Sequence, residues 1–282
     1  MLMLLVCAAW GFNFVAGKVG VAQLPPIFFT GLRFLILAIL LIPFLKVAHG
    51  RMRDVVLIGL FNGAIQFALL FVGVSLTAAS VVAVVVQLGV PFSTVLSIFW
   101  LGEVVRWRRW LGMGMTLAGV MVVSFDPHVF VSPAGAVFAA AGAMSGAVAS
   151  ILMRRLVGVG MFQLQAWTAV VSAPLLLAVS FLVESDPIGH IPDVDFVGWG
   201  ALAFTILGSS LVGHTGYYYL LQRYEVSLIA PLSLLAPILG VVFGIWLLGE
   251  PMTSRLLIGA TIAFAGVAVL AIRGKLPVEP AT

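Results

Sequence analysis

The sequence predicts an all-α membrane protein: ten transmembrane helices arranged as two inverted five-helix repeats. Three observations predict it: the composition, the lengths of the apolar runs, and a duplicated pattern at a fixed offset. Of 282 residues, 62% are hydrophobic and 9% are charged, against roughly half and a quarter in soluble domains. A soluble chain of this length would expose large apolar patches. Lipid as the solvent removes that difficulty.

Taking the elements in order, a helix needs about 20 residues at 1.5 Å rise to cross the hydrocarbon core. Apolar stretches of that length run over 3–22, 26–45, 55–73, 76–100, 108–125, 133–153, 161–183, 197–221, 226–248 and 254–272. The first lacks a basic n-region and is too long for a signal-peptide core, so it reads as a true span. Short alternating segments of the β-barrel type are absent. With the amino terminus placed in the cytoplasm, the inner loops hold Lys46, Arg51, Arg53, Arg106, Arg108, Arg109, Arg154, Arg155, Arg223, Arg273 and Lys275. The outer side holds only Arg255, and Lys18 and Arg33 fall within spans. This is a strong positive-inside bias, and an even number of spans puts both termini in the cytoplasm. It also accounts for the formal charge of +4 without a nucleic-acid partner, since the basic residues do not share one face. The single cysteine, Cys7, rules out an intrachain disulfide and reads as packing.

The repeat divides the chain into residues 1–125 and 133–272, followed by a short cytoplasmic tail at 273–282. V-P-F-S-T-V-L-S-I-F-W-L-G-E ends at Glu103, and A-P-I-L-G-V-V-F-G-I-W-L-L-G-E ends at Glu250. Gly112 and Gly259 follow at equal distances, as do Ala118-Gly119-Val120 and Ala265-Gly266-Val267. Five spans per copy is an odd number, so the second copy enters the membrane from the opposite side. Inverted repeats are common in secondary transporters.

Polar side chains in hydrocarbon are costly and mark candidate sites. Arg33, near the middle of span 2, either attracts a substrate carboxylate or is a structural arginine bonded to backbone carbonyls of a neighbouring helix. Lys18 lies nearer the outer end, where snorkelling accounts for it. In span 8, His214 and Tyr218 share a helix face with Tyr217 beside them; Tyr219 suits an interfacial belt. Asn13, Asn62, Gln66, Gln87 and Gln165 either meet a polar solute or bond between helices. Trp10 and Trp167 can bound a cavity with apolar surface. Pro91, Pro231 and Pro237 interrupt the matching helices of the two halves and are candidate gating positions. The rows Gly59/Gly63 and Gly135/Ala139/Ala143/Ala147 read as close helix packing.

Enzyme chemistry finds no foothold. The four histidines, His49, His128, His190 and His214, are scattered, and there is no metal-ligand spacing, nucleophile elbow or phosphate-cradling loop. No cofactor or metal is expected. All ten acidic residues fall outside the hydrocarbon centre, which leaves His214 as the one intramembrane group that ordinarily titrates near neutrality. Carrier-mediated flux without an obligatory proton is therefore expected.

W-G-F-N-F-V-A-G-K at 10–18, L-P-P at 24–26, G-L-R-F at 31–34, the two L-G-E helix ends and R-Y-E-V-S-L-I-A-P-L-S-L-L-A-P at 223–237 resemble the EamA-type exporters. These are ten-helix members of the drug/metabolite transporter superfamily. The resemblance covers almost the whole chain and implies a secondary transporter in the bacterial inner membrane, working by alternating access. It implies a small-molecule substrate of the amino acid or related-metabolite class, as in the exporters of cysteine and O-acetylserine or of aromatic amino acids. Export of hydrophobic drugs or other metabolites is the first rival; an intramembrane enzyme or a non-transporting receptor is the second. One departure is Gly146, where the second repeat of the family often carries tryptophan.

Overall fold

A run of apolar residues in lipid has one economical way to satisfy its backbone, which is to bond each N–H to a carbonyl of the same segment. The computed structural model describes residues 1–102, 107–125, 133–156, 158–223 and 232–271, and these described residues are all-helical, forming ten long helices. We number them α1 (Leu2–Val21), α2 (Pro26–Leu40), α3 (Met52–Leu76), α4 (Ala79–Leu101), α5 (Trp107–Ser124), α6 (Pro133–Arg155), α7 (Met161–Val183), α8 (Phe196–Arg223), α9 (Leu235–Leu248) and α10 (Ser254–Ala271). Among the described residues, seven helices are long and apolar enough to cross a membrane. Two apolar helices, α2 and α9, are shorter, and α5 opens on Arg108 and Arg109.

The boundaries correct the sequence expectation at several places. Span 2 does not run to residue 45: α2 ends at Leu40 and a 3-10 turn, Ile42–Phe44, follows. Pro43 explains the stop, because its ring disfavours helical backbone in the residue before it and removes a donor. Span 3 starts earlier and ends later than expected, at Met52 and Leu76, and extended Thr77 separates it from α4.

Two helices change pitch in mid-membrane. A π-helical segment, Gly59–Ile65, interrupts α3, and another, Thr205–Gly213, interrupts α8. In α4 a 3-10 turn, Val86–Leu88, stands just before Pro91. Pro237 falls in the first turn of α9, where a missing N–H breaks no bond, so it starts that helix rather than bending it. A further interior proline, Pro174, lies in α7. Pro231 lies outside the described residues.

Packing follows the small residues. α5 lies along α10, α2 along α7, α1 along α9, α3 along α6, and α6 also meets α4. At the α5–α10 contact, a Cβ on Gly119 would run into the backbone of Gly259 and Ala263, and one on Gly266 into Gly112 and Thr116. The backbones therefore touch directly there, as small-residue interfaces in membranes allow. The Gly59/Gly63 row meets Thr168, Val171 and Ser172 of α7, and Gly135 meets Gly73 and Thr77. α4 and α9 both end on a left-handed glycine, Gly102 at φ +68° and Gly249 at φ +66°. Glycine alone adopts that turn without a Cβ clash. Outward-facing Phe99, Leu182, Phe196 and Trp246 are exposed, as expected of a lipid-facing surface.

Candidate functional site

The π segments determine which polar groups are presented in the bundle interior. Widening a helix by one residue frees carbonyls that the i−4 ladder would occupy, and neighbouring side chains take them. Ser172 Oγ donates to Gly59 O at 3.1 Å and Ser145 Oγ to Phe61 O at 2.7 Å. In α8, Ser210 Oγ donates back to Thr205 O at 3.0 Å, Gln165 Nε2 donates to Ser210 O at 2.9 Å, and His214 Nδ1 hydrogen-bonds Ser209 O at 3.0 Å.

Arg33 joins this group from α2. It is 1% exposed, and its Nη2 donates to Ser210 Oγ at 2.9 Å. Its guanidinium lies 4.6 Å from the Phe67 ring centroid and 5.8 Å from those of Phe34 and Phe71. Such cation–π contacts contribute about 2 kcal/mol when desolvated. One hydroxyl and three ring faces leave a five-donor cation incompletely satisfied: Nε and Nη1 make no hydrogen bond. Of the two roles open to Arg33 in the sequence, bonding to backbone carbonyls of a neighbouring helix is not what the structure shows. On the far side of His214 stands Trp10 of α1, edge-on at 5.3 Å, with Tyr217 tilted against the same indole at 5.2 Å.

Of the sequence-predicted residues, the structure thus brings together Trp10, Arg33, Gln165, His214 and Tyr217, around Ser209 and Ser210. Asn13 of α1, Asn62 and Gln66 of α3 and Gln87 of α4 stand outside this set of contacts. Asn13 is buried, and Asn62, Gln66 and Gln87 are half-buried; Gln66 packs against Gly146, where an added Cβ would come within 2.6 Å of its Oε1. The side chain of Tyr218 lies outside the described residues. Trp167 is corrected: its Nε1 donates to Lys46 O at 2.8 Å, beside Gln163, at the end of the bundle rather than at its centre. Lys18 is corrected as well. Its Nζ donates to Val74 O and Thr77 O, each at 2.7 Å, and so closes the carboxyl end of α3 instead of reaching for water. Ser210 and Ser209 were missed, because a serine pair in an apolar run reads as ordinary helix packing; Gly208-Ser209-Ser210 inside a span was the available signal.

Outside the span ends, Asp195 caps α8 and accepts from Gly198 N at 2.7 Å. That bond, with one from the Gln23 amide, holds its carboxyl below the usual aspartate value. Two clefts lie away from the polar group. One, of about 290 Å³, is lined by Lys46, His49, Arg51 and Gln163. The other, of about 360 Å³, is apolar and lies between α1 and α8 beside Phe12, Phe196 and Phe204.

The model of the EamA-like transporter family matches residues 1–125 and 133–272. The chain belongs to that family. It is 31% identical over 278 residues to a probable amino-acid metabolite efflux pump of Salmonella typhimurium, covering 94% of this chain and 92% of that protein. It is 28% identical over 274 residues to the protein of the same description in Escherichia coli, with coverage of 94% and 92%. An uncharacterized inner membrane transporter of Escherichia coli is 25% identical over 279 residues, covering 96% and 90%. A solved structure with 22% sequence identity superposes at a TM-score of 0.66, covering 95% of this chain and 94% of that one, and supports the fold. The chain is therefore a membrane transporter of the EamA-like family, with the small-molecule substrate and the lipid surroundings that this implies.

Proposed function

We propose that this EamA-like transporter exports amino acids or closely related metabolites across the bacterial inner membrane. The observation that carries the reading is the polar group around Ser210, buried in an apolar bundle and built from α1, α2, α7 and α8. Trp10 and Tyr217 supply flat apolar surface and His214 a polar edge, as a small amphipathic solute requires. The two efflux-pump relatives are described as acting on amino-acid metabolites, and the substrate class is carried over from them. Against the drug-exporter rival stands the arginine, a full charge that an apolar solute has no use for.

The proposed mechanism is alternating access by two inverted five-helix halves, residues 1–125 and 133–272. Reciprocal features support the halves: the π segments of α3 and α8, the left-handed glycines that end α4 and α9, and the paired Gly119–Gly259 and Gly112–Gly266 contacts of α5 with α10. Both termini are assigned to the cytoplasm. A periplasm-dependent reporter fused after Lys275 is expected to be silent, and one inserted near Asp186 active; the reverse pattern overturns the topology.

The functional test is flux. Cells overproducing the protein should survive toxic amino acid analogues, and purified protein in liposomes should exchange labelled amino acids down their gradients without an imposed pH difference. A broad panel with no flux in folded protein sinks the transport reading. Accumulation above equilibrium that needs a pH gradient would replace uniport with proton coupling, and its loss in His214→Ala would name the coupling residue.

A further inference from the structure

We propose that Arg33 recognises a carboxylate on the transported solute, so that this protein accepts zwitterions and carboxylate anions and rejects amines that lack a carboxylate. The proposal rests on the transport reading above and adds a charge rule to it.

The interior holds an uneven inventory of hydrogen-bonding groups without protein partners. Among the described residues the donors are Arg33 Nε and Nη1 and Trp10 Nε1, the acceptors are Asn13 Oδ1, Gln66 Oε1 and Gln165 Oε1, and the hydroxyls of Thr77, Ser80 and Ser180 can do either. The donor side carries a full positive charge, whereas every acceptor is a neutral amide or hydroxyl. Within α1–α10 the described carboxylate is Asp54, in the first turn of α3, partly exposed and 4.0 Å from Arg51. Glu184 and Glu250 are taken up by the backbone N–H groups at the amino ends of α2 and α4, and among the described residues no carboxylate forms an ion pair with Arg33. Arg33 therefore has no fixed counter-charge within the described bundle. A solute carboxylate supplies one and turns two unsatisfied nitrogens into charge-assisted hydrogen bonds. An ammonium group on the same solute finds only neutral oxygens, which suffice when the carboxylate has already neutralised the arginine. An amine alone brings a second positive charge into a low-dielectric interior beside the first.

The local geometry keeps the guanidinium in place. Ser210 receives Nη2 through its hydroxyl and Gln165 Nε2 through its carbonyl, so the charged donor and the neutral acceptor Gln165 Oε1 are tied to one residue of the α8 π segment. The faces of Phe34, Phe67 and Phe71 surround the guanidinium and exclude water from it. Arg33 is sealed in this conformation, so the carboxylate reaches it when α2 and α8 separate on one side of the membrane.

The experiment uses the full chain in liposomes. Counterflow of a panel of labelled neutral amino acids and O-acetylserine identifies the solute moved fastest. That solute then competes against its own N-acetyl derivative, its methyl ester and its decarboxylated amine. The parent and the N-acetyl anion are expected to inhibit, and the ester and amine to fail at about a tenfold excess. Arg33→Gln should raise the apparent KM for the parent about tenfold or more, with Arg33→Lys recovering part of it. Equal inhibition by ester or amine in the unmodified protein overturns the charge rule while leaving transport standing; so does an unchanged KM in Arg33→Gln. Should Arg33→Gln fail to fold, the analogue series in the unmodified protein decides alone. No flux of any panel member, in protein with an intact melting transition, overturns the transport reading and this proposal together.

Discussion

The carboxylate of Glu250 closes the amino end of α4, with Oε1 accepting the N–H of Ala79 at 2.6 Å and Oε2 that of Ser80 at 2.9 Å. Glu184, just beyond α7, does the same for α2, taking the N–H groups of Ile27 and Phe28 at 2.8 and 2.9 Å. The first N–H groups of a helix have no partner within it and carry partial positive charge, so a carboxylate there is doubly favoured. Both links tie an element from the second half of the chain to one from the first.

Glu250→Ala should destabilise the protein by about 1–3 kcal/mol, the cost of leaving two charge-assisted bonds unmade. Glu250→Gln should fall between, because one amide oxygen can still accept. Thermal unfolding in detergent measures both. An unchanged midpoint for Glu250→Ala would show that water replaces the carboxylate without loss.

Gly119→Ala should destabilise by about 1–3 kcal/mol, since the new methyl meets backbone of α10, which cannot swing aside. Gly114, on the same helix, has nothing within 4 Å of its Cβ position. Gly114→Ala should therefore be neutral or stabilising by about 0.5–1 kcal/mol. The pair of melting points checks the α5–α10 contact: equal shifts would place that contact elsewhere.

His214→Ala and Trp10→Phe should lower transport per molecule more than they lower the amount of folded protein. The two rings contact each other and border the polar group, and Trp10→Phe keeps a flat ring while removing the unpartnered Nε1–H. Flux assays normalised to protein in the membrane decide. Parental rates in both variants would remove Trp10 and His214 from the proposed transport site.

Asp195 gives a pH-dependent term whose sign is defined. Its folded-state pKa lies below the ordinary value because Gly198 N–H and the Gln23 amide bond the charged form. A depressed carboxylate pKa adds stability above the unfolded-state value, and that stability is lost as pH falls through the folded-state value. Asp195→Asn should flatten the acid limb of a stability curve below about pH 5 and leave the neutral plateau little changed. The residue is exposed, so the effect is small; a steeper acid limb in the variant would contradict the capping role.

The interior arginine was evident in the sequence because a cation in a long apolar run stands out, whereas its surroundings were not. Phe34 is adjacent in sequence, yet Phe67 and Phe71 come from α3 and Ser210 from α8. Nothing in the spacing of these residues shows that they meet. Lys18 failed for a related reason: seen along its own helix it is near water, but the open end of α3 lies beside it and offers carbonyls first. The π segments escaped because glycine and serine within a span also serve ordinary close packing. Matched prolines stand out in a span because they remove a donor, whereas Gly59–Ile65 and Thr205–Gly213 carry no such mark.

Composition and periodicity were enough for the membrane class, the number of helices and the small-residue contacts. Each of these depends on properties that every residue carries with it: its transfer free energy, its size, and its place in a stretch long enough to cross hydrocarbon. Which polar groups share the interior depended on the tertiary structure, because it is a property of pairs distant in the chain. Ser210 meets Arg33 and Gln165 only after α2, α7 and α8 have packed and the last has widened by a residue. Those contacts follow from interhelical geometry that apolar, interchangeable lipid-facing residues leave unspecified in the sequence.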